Sequence, residues 1–230
     1  MPRVAVVAAL EREVRPLVAA WRVVRRSWDG REFQFFESDS AVVVCGGIGP
    51  GAARRACEAV CASYGPEIVI SAGFAGALTP DLGVGEVVIP ATVIDAGDGS
   101  RVETGAGSGG LVSVAEMASV ERKRVLGAKY GAVVVDMEAA AVARVAGLRG
   151  VRLGAVKVIS DVLDFEIPVV EGSVDGQGAF HVGRFLAGVA ARPWVWGRVI
   201  RMAGNSSLAA KNLSEALRGR IEGFPRQGKN

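Results

Sequence analysis

Six short apolar runs, each followed by a glycine turn or a helix-forming stretch, constrain this chain more than any other feature. They are Val4–Ala9, Ala41–Val44, Ile68–Ser71, Val87–Ile89, Val133–Val135 and Ala155–Ile159. Runs this short, without polar alternation, read as strands covered on both faces. Between them Arg12–Ala20, Gly51–Ser63 and Glu138–Ala146 carry apolar residues at helical spacing in helix-forming composition. The alternation predicts an α/β fold with helices on both faces of a sheet. Half of the 230 residues are apolar, enough for one substantial core, and no linker divides the chain. Residues 1–191 are read as one domain and 192–230 as a helical, basic extension ending in a frayed tail. Asp95–Gly110 holds six glycines and almost no large apolar side chain, so a mobile surface loop is expected there.

Composition excludes several classes. The N-terminal apolar run is interrupted by Glu11, Arg12 and Glu13, which suits a first strand better than a secretory signal or a membrane span. A net charge of +3 gives no argument for a nucleic-acid partner. Cys45, Cys57 and Cys61 lack metal-ligand spacing and the single histidine, His181, is far away, so no metal is expected and a reducing, cytoplasmic setting fits. No Gly-x-Gly-x-x-Gly follows the first strand, which sets aside a dinucleotide-dependent dehydrogenase.

In open α/β sheets ligands bind where loops leave the carboxyl ends of strands, and acidic residues collect at those positions here. Glu13 follows the first strand, Asp136 and Glu138 close the run Val133–Val135, and Asp161 closes Ala155–Ile159. Glycine clusters at 46–51 and 73–76 allow backbone amides to approach a ligand closely. Each feature also has a plain structural reading. The glycines serve tight turns, Asp161 caps a helix, Glu138 is a first-turn helix acid, and Met137 fills core space.

Taken in order, the segments 6–14 (VVAALEREV), 47–53 (GIGPGAA), 71–76 (SAGFAG) with 84–89 (VGEVVI), 135–141 (VDMEAAA) and 159–161 (ISD) resemble the nucleoside phosphorylase and nucleosidase superfamily. They are most similar to 5′-methylthioadenosine/S-adenosylhomocysteine nucleosidases. The resemblance implies a single-domain, three-layer α/β/α fold with a mixed central sheet, no cofactor and a homodimer. It implies that Asp161 protonates N7 of a departing purine, that Glu138 grips the ribose hydroxyls, and that Glu13 holds the attacking water. Ile48, Phe74, Ala75, Gly76, Met117, Met137 and Ser160 are the implied substrate contacts. Phosphorolytic relatives surround a phosphate with arginines; Arg12, Arg15, Arg54 and Arg55 do not sit in those motifs, so water is preferred over phosphate.

Two positions depart from the family pattern: Phe74 replaces a serine, and 114–119 offers Met117 where an aromatic residue stacks on adenine. The compact middle and longer C-terminal region look more like hopanoid-associated phosphorylases, which implies a long 5′-substituent. Leu163, Phe165, Ile167, Val169 and Val170 would then line a greasy entrance or a subunit interface. Residues 192–202 interleave arginine with Trp194 and Trp196, a composition for peripheral contact with the inner face of the membrane or for core packing. A rival reading is a nucleoside-binding protein without turnover, against which stand all three carboxylates in their contexts.

Overall fold

In the computed structural model of the chain, residues 2–165 and 196–224 are described, with backbone alone for 196–203. The expected boundary at 191/192, the apolar stretch beyond 165, His181 and residues 192–195 lie outside them. The order is β1 (Val4–Ala8), α1 (Glu11–Val18), β2 (Arg22–Trp28), β3 (Arg31–Glu37), β4 (Ala41–Cys45), α2 (Pro50–Tyr64) and β5 (Ile68–Ala77). Then follow β6 (Val87–Val88), β7 (Thr92–Asp95), β8 (Arg101–Glu103), β9 (Gly110–Ser113), α3 (Val120–Tyr130), β10 (Ala132–Asp136), α4 (Ala139–Arg149), β11 (Arg152–Asp161) and α5 (Trp196–Glu222).

One mixed sheet of 11 strands runs β2-β3-β4-β1-β5-β10-β9-β7-β8, with β11 pairing β5 and β6. Helices α2 and α4 bury their alanine-rich faces on one side, Ala53, Ala56, Ala143 and Ala146 among them, in a cluster with Phe35 and Val44. On the other side Val14 and Leu17 of α1 join Leu213 and Leu217 of α5 against Val156 and Val158 of β11. The three-layer α/β/α arrangement is thus as expected. The C-terminal helix is part of its second layer.

Strand β5 organises the sheet. It pairs in parallel with β1 from Ile68 to Ser71, and antiparallel with β10 at Gly76 and Ala77 on that same side, while β11 runs parallel along its length. Strands β1 and β10 therefore meet head-on with their carboxyl ends facing each other, and residues 72–75 of β5 have neither as partner. Gly73, at φ +152, sits in that gap. Each facing strand passes directly into a helix, β1 into α1 and β10 into α4, so two helix N-termini flank the gap. This is the crevice that open α/β sheets provide for ligands.

Two expectations are corrected. Asp95–Gly110 is not a slack loop. Val93 and Ile94 of β7 pair with Val102 and Arg101 of β8, and the Thr104 hydroxyl donates to the Pro90 carbonyl at 2.7 Å. Backbone pairing and a buried threonine replace the missing apolar surface. The sequence reading also had no strands between Ala20 and Ala41, where β2 and β3 form a hairpin turning at Asp29 and Gly30, both at positive φ.

Candidate active site

Around the gap lies a cavity of about 170 Å³, lined by Glu13, Ile48, Phe74, Ala75, Gly76, Met117, Met137, Glu138, Ser160 and Asp161. All ten residues singled out in the sequence are brought together. Arg12, Lys123 and Asp136 share the lining.

The three carboxylates arrive by separate routes. Glu13 lies in the first turn of α1, 6% exposed, within 3.5 Å of the Leu10 amide, and a side chain at position 73 would come within 3.1 Å of its Oε2. A glycine there gives this carboxylate its room. Glu138 precedes α4, with Oε1 accepting from the Gly49 amide at 2.7 Å and Oε2 from the Met137 amide at 3.3 Å. The first glycine turn therefore orients this acid. Asp161 closes β11 just beyond a register shift that follows Ile159. Without that bulge, consecutive residues would alternate between sheet faces; with it, Ser160 and Asp161 both reach the cavity. The Ser160 hydroxyl donates to Asp161 Oδ1 at 2.7 Å, and Lys123 Nζ donates to Oδ2.

Beneath them lies a polar frame whose lysine sequence reasoning missed. Lys157, 1% exposed, pairs with Asp136 at 2.8 Å and donates to the Ser71 hydroxyl at 3.1 Å. Asp136 also accepts from Ser113 Oγ at 2.5 Å and from the Ala139 amide at 3.0 Å, so this acid anchors the start of α4. A lone lysine inside the apolar run Ala155–Ile159 was the available signal for Lys157. Lys123 sits in the charge-rich stretch 120–124 (VERKR), where nothing local distinguishes it from its exposed neighbours.

Electrostatics moves two of the acids in the same direction. Burial, then the nearby Glu138 charge, pushes Glu13 up to about 7, opposed by the Lys157 ammonium. Burial, then Asp136, pushes Glu138 up to about 7 as well, again opposed by Lys157. A carboxyl that titrates near neutrality suits proton transfer at ordinary pH. Met117 is 45% exposed at the rim. Of the other arginines weighed as anion ligands, Arg54 pairs with Glu58 at 2.7 Å and Arg15 is exposed, and neither lines this cavity.

The carboxylates are thus gathered beside β5, where the ends of β1 and β10 face each other. The family model described as Phosphorylase superfamily matches residues 3–123 and 111–176, and the chain belongs to that superfamily. Solved structures of similar fold include futalosine hydrolase of Helicobacter pylori, at 17% identity and TM-score 0.71, covering 96% of this chain and 97% of that one. The 5′-methylthioadenosine/S-adenosylhomocysteine nucleosidase of the same organism aligns at 18% identity and TM-score 0.71, covering 96% and 98%. That of Neisseria meningitidis, in complex with methylthio-immucillin-A, aligns at 21% identity and TM-score 0.70, covering 96% and 99%. No curated protein sequence matches the chain.

Proposed function

We propose that the protein hydrolyses the N-glycosidic bond of a purine nucleoside, with adenine as the base and a substituent on the 5′ carbon. The observation that carries this reading is the convergence of Glu13, Glu138 and Asp161 on one cavity at the facing ends of β1 and β10. Asp161 gives a proton to N7, so that the base departs neutral. Glu138, already held by two backbone amides, accepts the ribose hydroxyls and stabilises the oxocarbenium-like sugar. Glu13 takes a proton from the attacking water, a role that its value of about 7 suits. Ile48, Phe74 and Met137 enclose the sugar, while Ala75, Gly76, Met117 and Ser160 border the base.

Beside this cavity a larger hollow of about 400 Å³ shares Val114 and Met137 with it. We assign the 5′-substituent to that hollow, whether methylthio or a longer chain such as a hopane. No helix among the described residues is long and apolar enough to cross a membrane. In this reading a lipid-linked nucleoside is met at the bilayer surface, by a dimer that presents two such hollows.

Arg12, lining the cavity next to Glu13, favours a second reading in which phosphate is the nucleophile. The test is base release from adenosine, inosine, 5′-methylthioadenosine and a long-chain 5′-alkyl adenosine, each with and without phosphate. Phosphate-independent release supports hydrolysis. A strict phosphate requirement with sugar-1-phosphate as product moves the protein to the phosphorylases, and no release from any substrate supports a binding protein.

A further inference from the structure

The reaction above gives no role to Lys123, a cation that lines the cavity. Lys123 projects from α3 and is 1% exposed. Its Nζ donates to Asp161 Oδ2, to the Val162 carbonyl at 3.0 Å and to the Phe165 carbonyl at 3.3 Å, which gives all three ammonium protons an acceptor. The next residue, Arg124, reaches Asp164 at 2.6 Å on the outer side of the same turn. Helix α3 thus grips the end of β11 from inside and outside. Position 76 is shaped around the pair, because a Cβ there would lie 2.8 Å from Asp161 Oδ2 and 3.1 Å from Lys123 Cε. Burying an ammonium is costly unless it is paired and hydrogen-bonded, and this one is placed against a single reacting group.

We propose that Lys123 is a positioning residue for glycosidic cleavage that acts through Asp161. It holds Oδ2 while the Ser160 hydroxyl holds Oδ1, and it neutralises the carboxylate that proton donation leaves behind. The inference rests on the nucleosidase reading. In the step concerned, the O–H bond of Asp161 breaks as an N–H bond forms on the base. The glycosidic electron pair departs with the base, and Lys123 keeps all its protons. The ammonium is fixed before the reaction begins, so it stabilises charge that develops without reorganising.

A kinetic cycle with K123M, D161N and the double variant tests this. K123M is expected to lower kcat by about 100-fold or more and to change KM by less than about threefold, as for one preorganised donor to a reacting group. On the D161N background K123M is expected to cause no further loss beyond about threefold, because the residue through which it acts has already been neutralised. Ethylamine is expected to restore part of the turnover of K123A. Independent, multiplying losses in the double variant, or a K123M kcat within about threefold of the unaltered chain, would overturn the role of Lys123. Absence of base release by the unaltered chain overturns the nucleosidase reading, and the inference falls with it.

Discussion

Glu13 and Glu138 each hold a proton to higher pH than a free carboxyl does, and the fold carries an energetic consequence. An unfolded glutamate titrates near 4.5 and the folded Glu13 near 7. Below 4.5 both states are protonated; between the two values the folded state keeps a proton that the unfolded state has lost, and stability falls as pH rises. The loss is complete above the folded value and amounts to about 3 kcal/mol for a buried group shifted this far. Glu13→Gln is therefore expected to raise the melting temperature at pH 8 but not at pH 4, and to remove most of the turnover. Equal melting of the two proteins at pH 8 would contradict the burial argument. Lys157→Met is expected to destabilise by about 3–5 kcal/mol, because it strands the Asp136 carboxylate in the core. A urea titration of that variant reads the loss directly. The acids were legible in the sequence because each closes or follows an apolar strand run and because their segments, taken in order, resemble one superfamily. Their lysine partners were not, since a lysine's burial is decided by elements distant in sequence.

The element whose reading changes most is α5. Its basic composition suggested an appendage, yet Leu213 and Leu217 are fully buried against α1 and β11. Leu217→Ala is expected to lower unfolding free energy by about 2–5 kcal/mol, as for any large-to-small change in a core. A loss below 0.5 kcal/mol in denaturant unfolding would show that the helix is dispensable. The turn after β8 makes a similar point, because a Cβ at Gly107 would lie 1.8 Å from the Ile89 carbonyl oxygen. Gly107→Ala is thus expected to destabilise the protein and to speed amide exchange in 91–109; unchanged exchange would mean that this turn is as slack as its glycines suggested. At Gly107 the glycine reflects close backbone packing, whereas Gly99 and Gly105 serve turns at positive φ. The β2–β3 hairpin escaped the sequence reading because Arg22, Arg25 and Arg26 interrupt its apolar pattern, although the Asp29-Gly30 pair marks its turn.

Across the whole molecule two families of carboxylates oppose each other. Glu37, buried beside Tyr64 and Arg22, is held below the usual carboxyl range, first by the Tyr64 hydroxyl and then by the arginine. Its contribution is present above the unfolded value and is lost as pH falls through the folded one, the reverse of Glu13 and Glu138. Together they act in opposite senses, Glu37 adding stability as pH rises toward its unfolded value and the site acids removing it above theirs. Thermal melts from pH 3 to 9 check this, and stability that climbs steadily to pH 8 would contradict it. A purine nucleoside that binds the folded state should raise the melting temperature in proportion to the logarithm of its concentration above Kd.

The gap in β5 sets the scale of what this architecture can hold. Its length is counted in residues: the four positions 72–75, at about 3.3 Å each, span roughly 13 Å. Changing that span by a residue would reverse the facing of every side chain beyond it, so the sheet can lengthen the gap only in coarse steps. Substrate range must then diversify through the walls, by exchanges such as Phe74 or Met117, while the floor stays the same size. A floor fixed by backbone register and walls free to vary are compatible with the fold that this chain shares with structures at 17–21% identity.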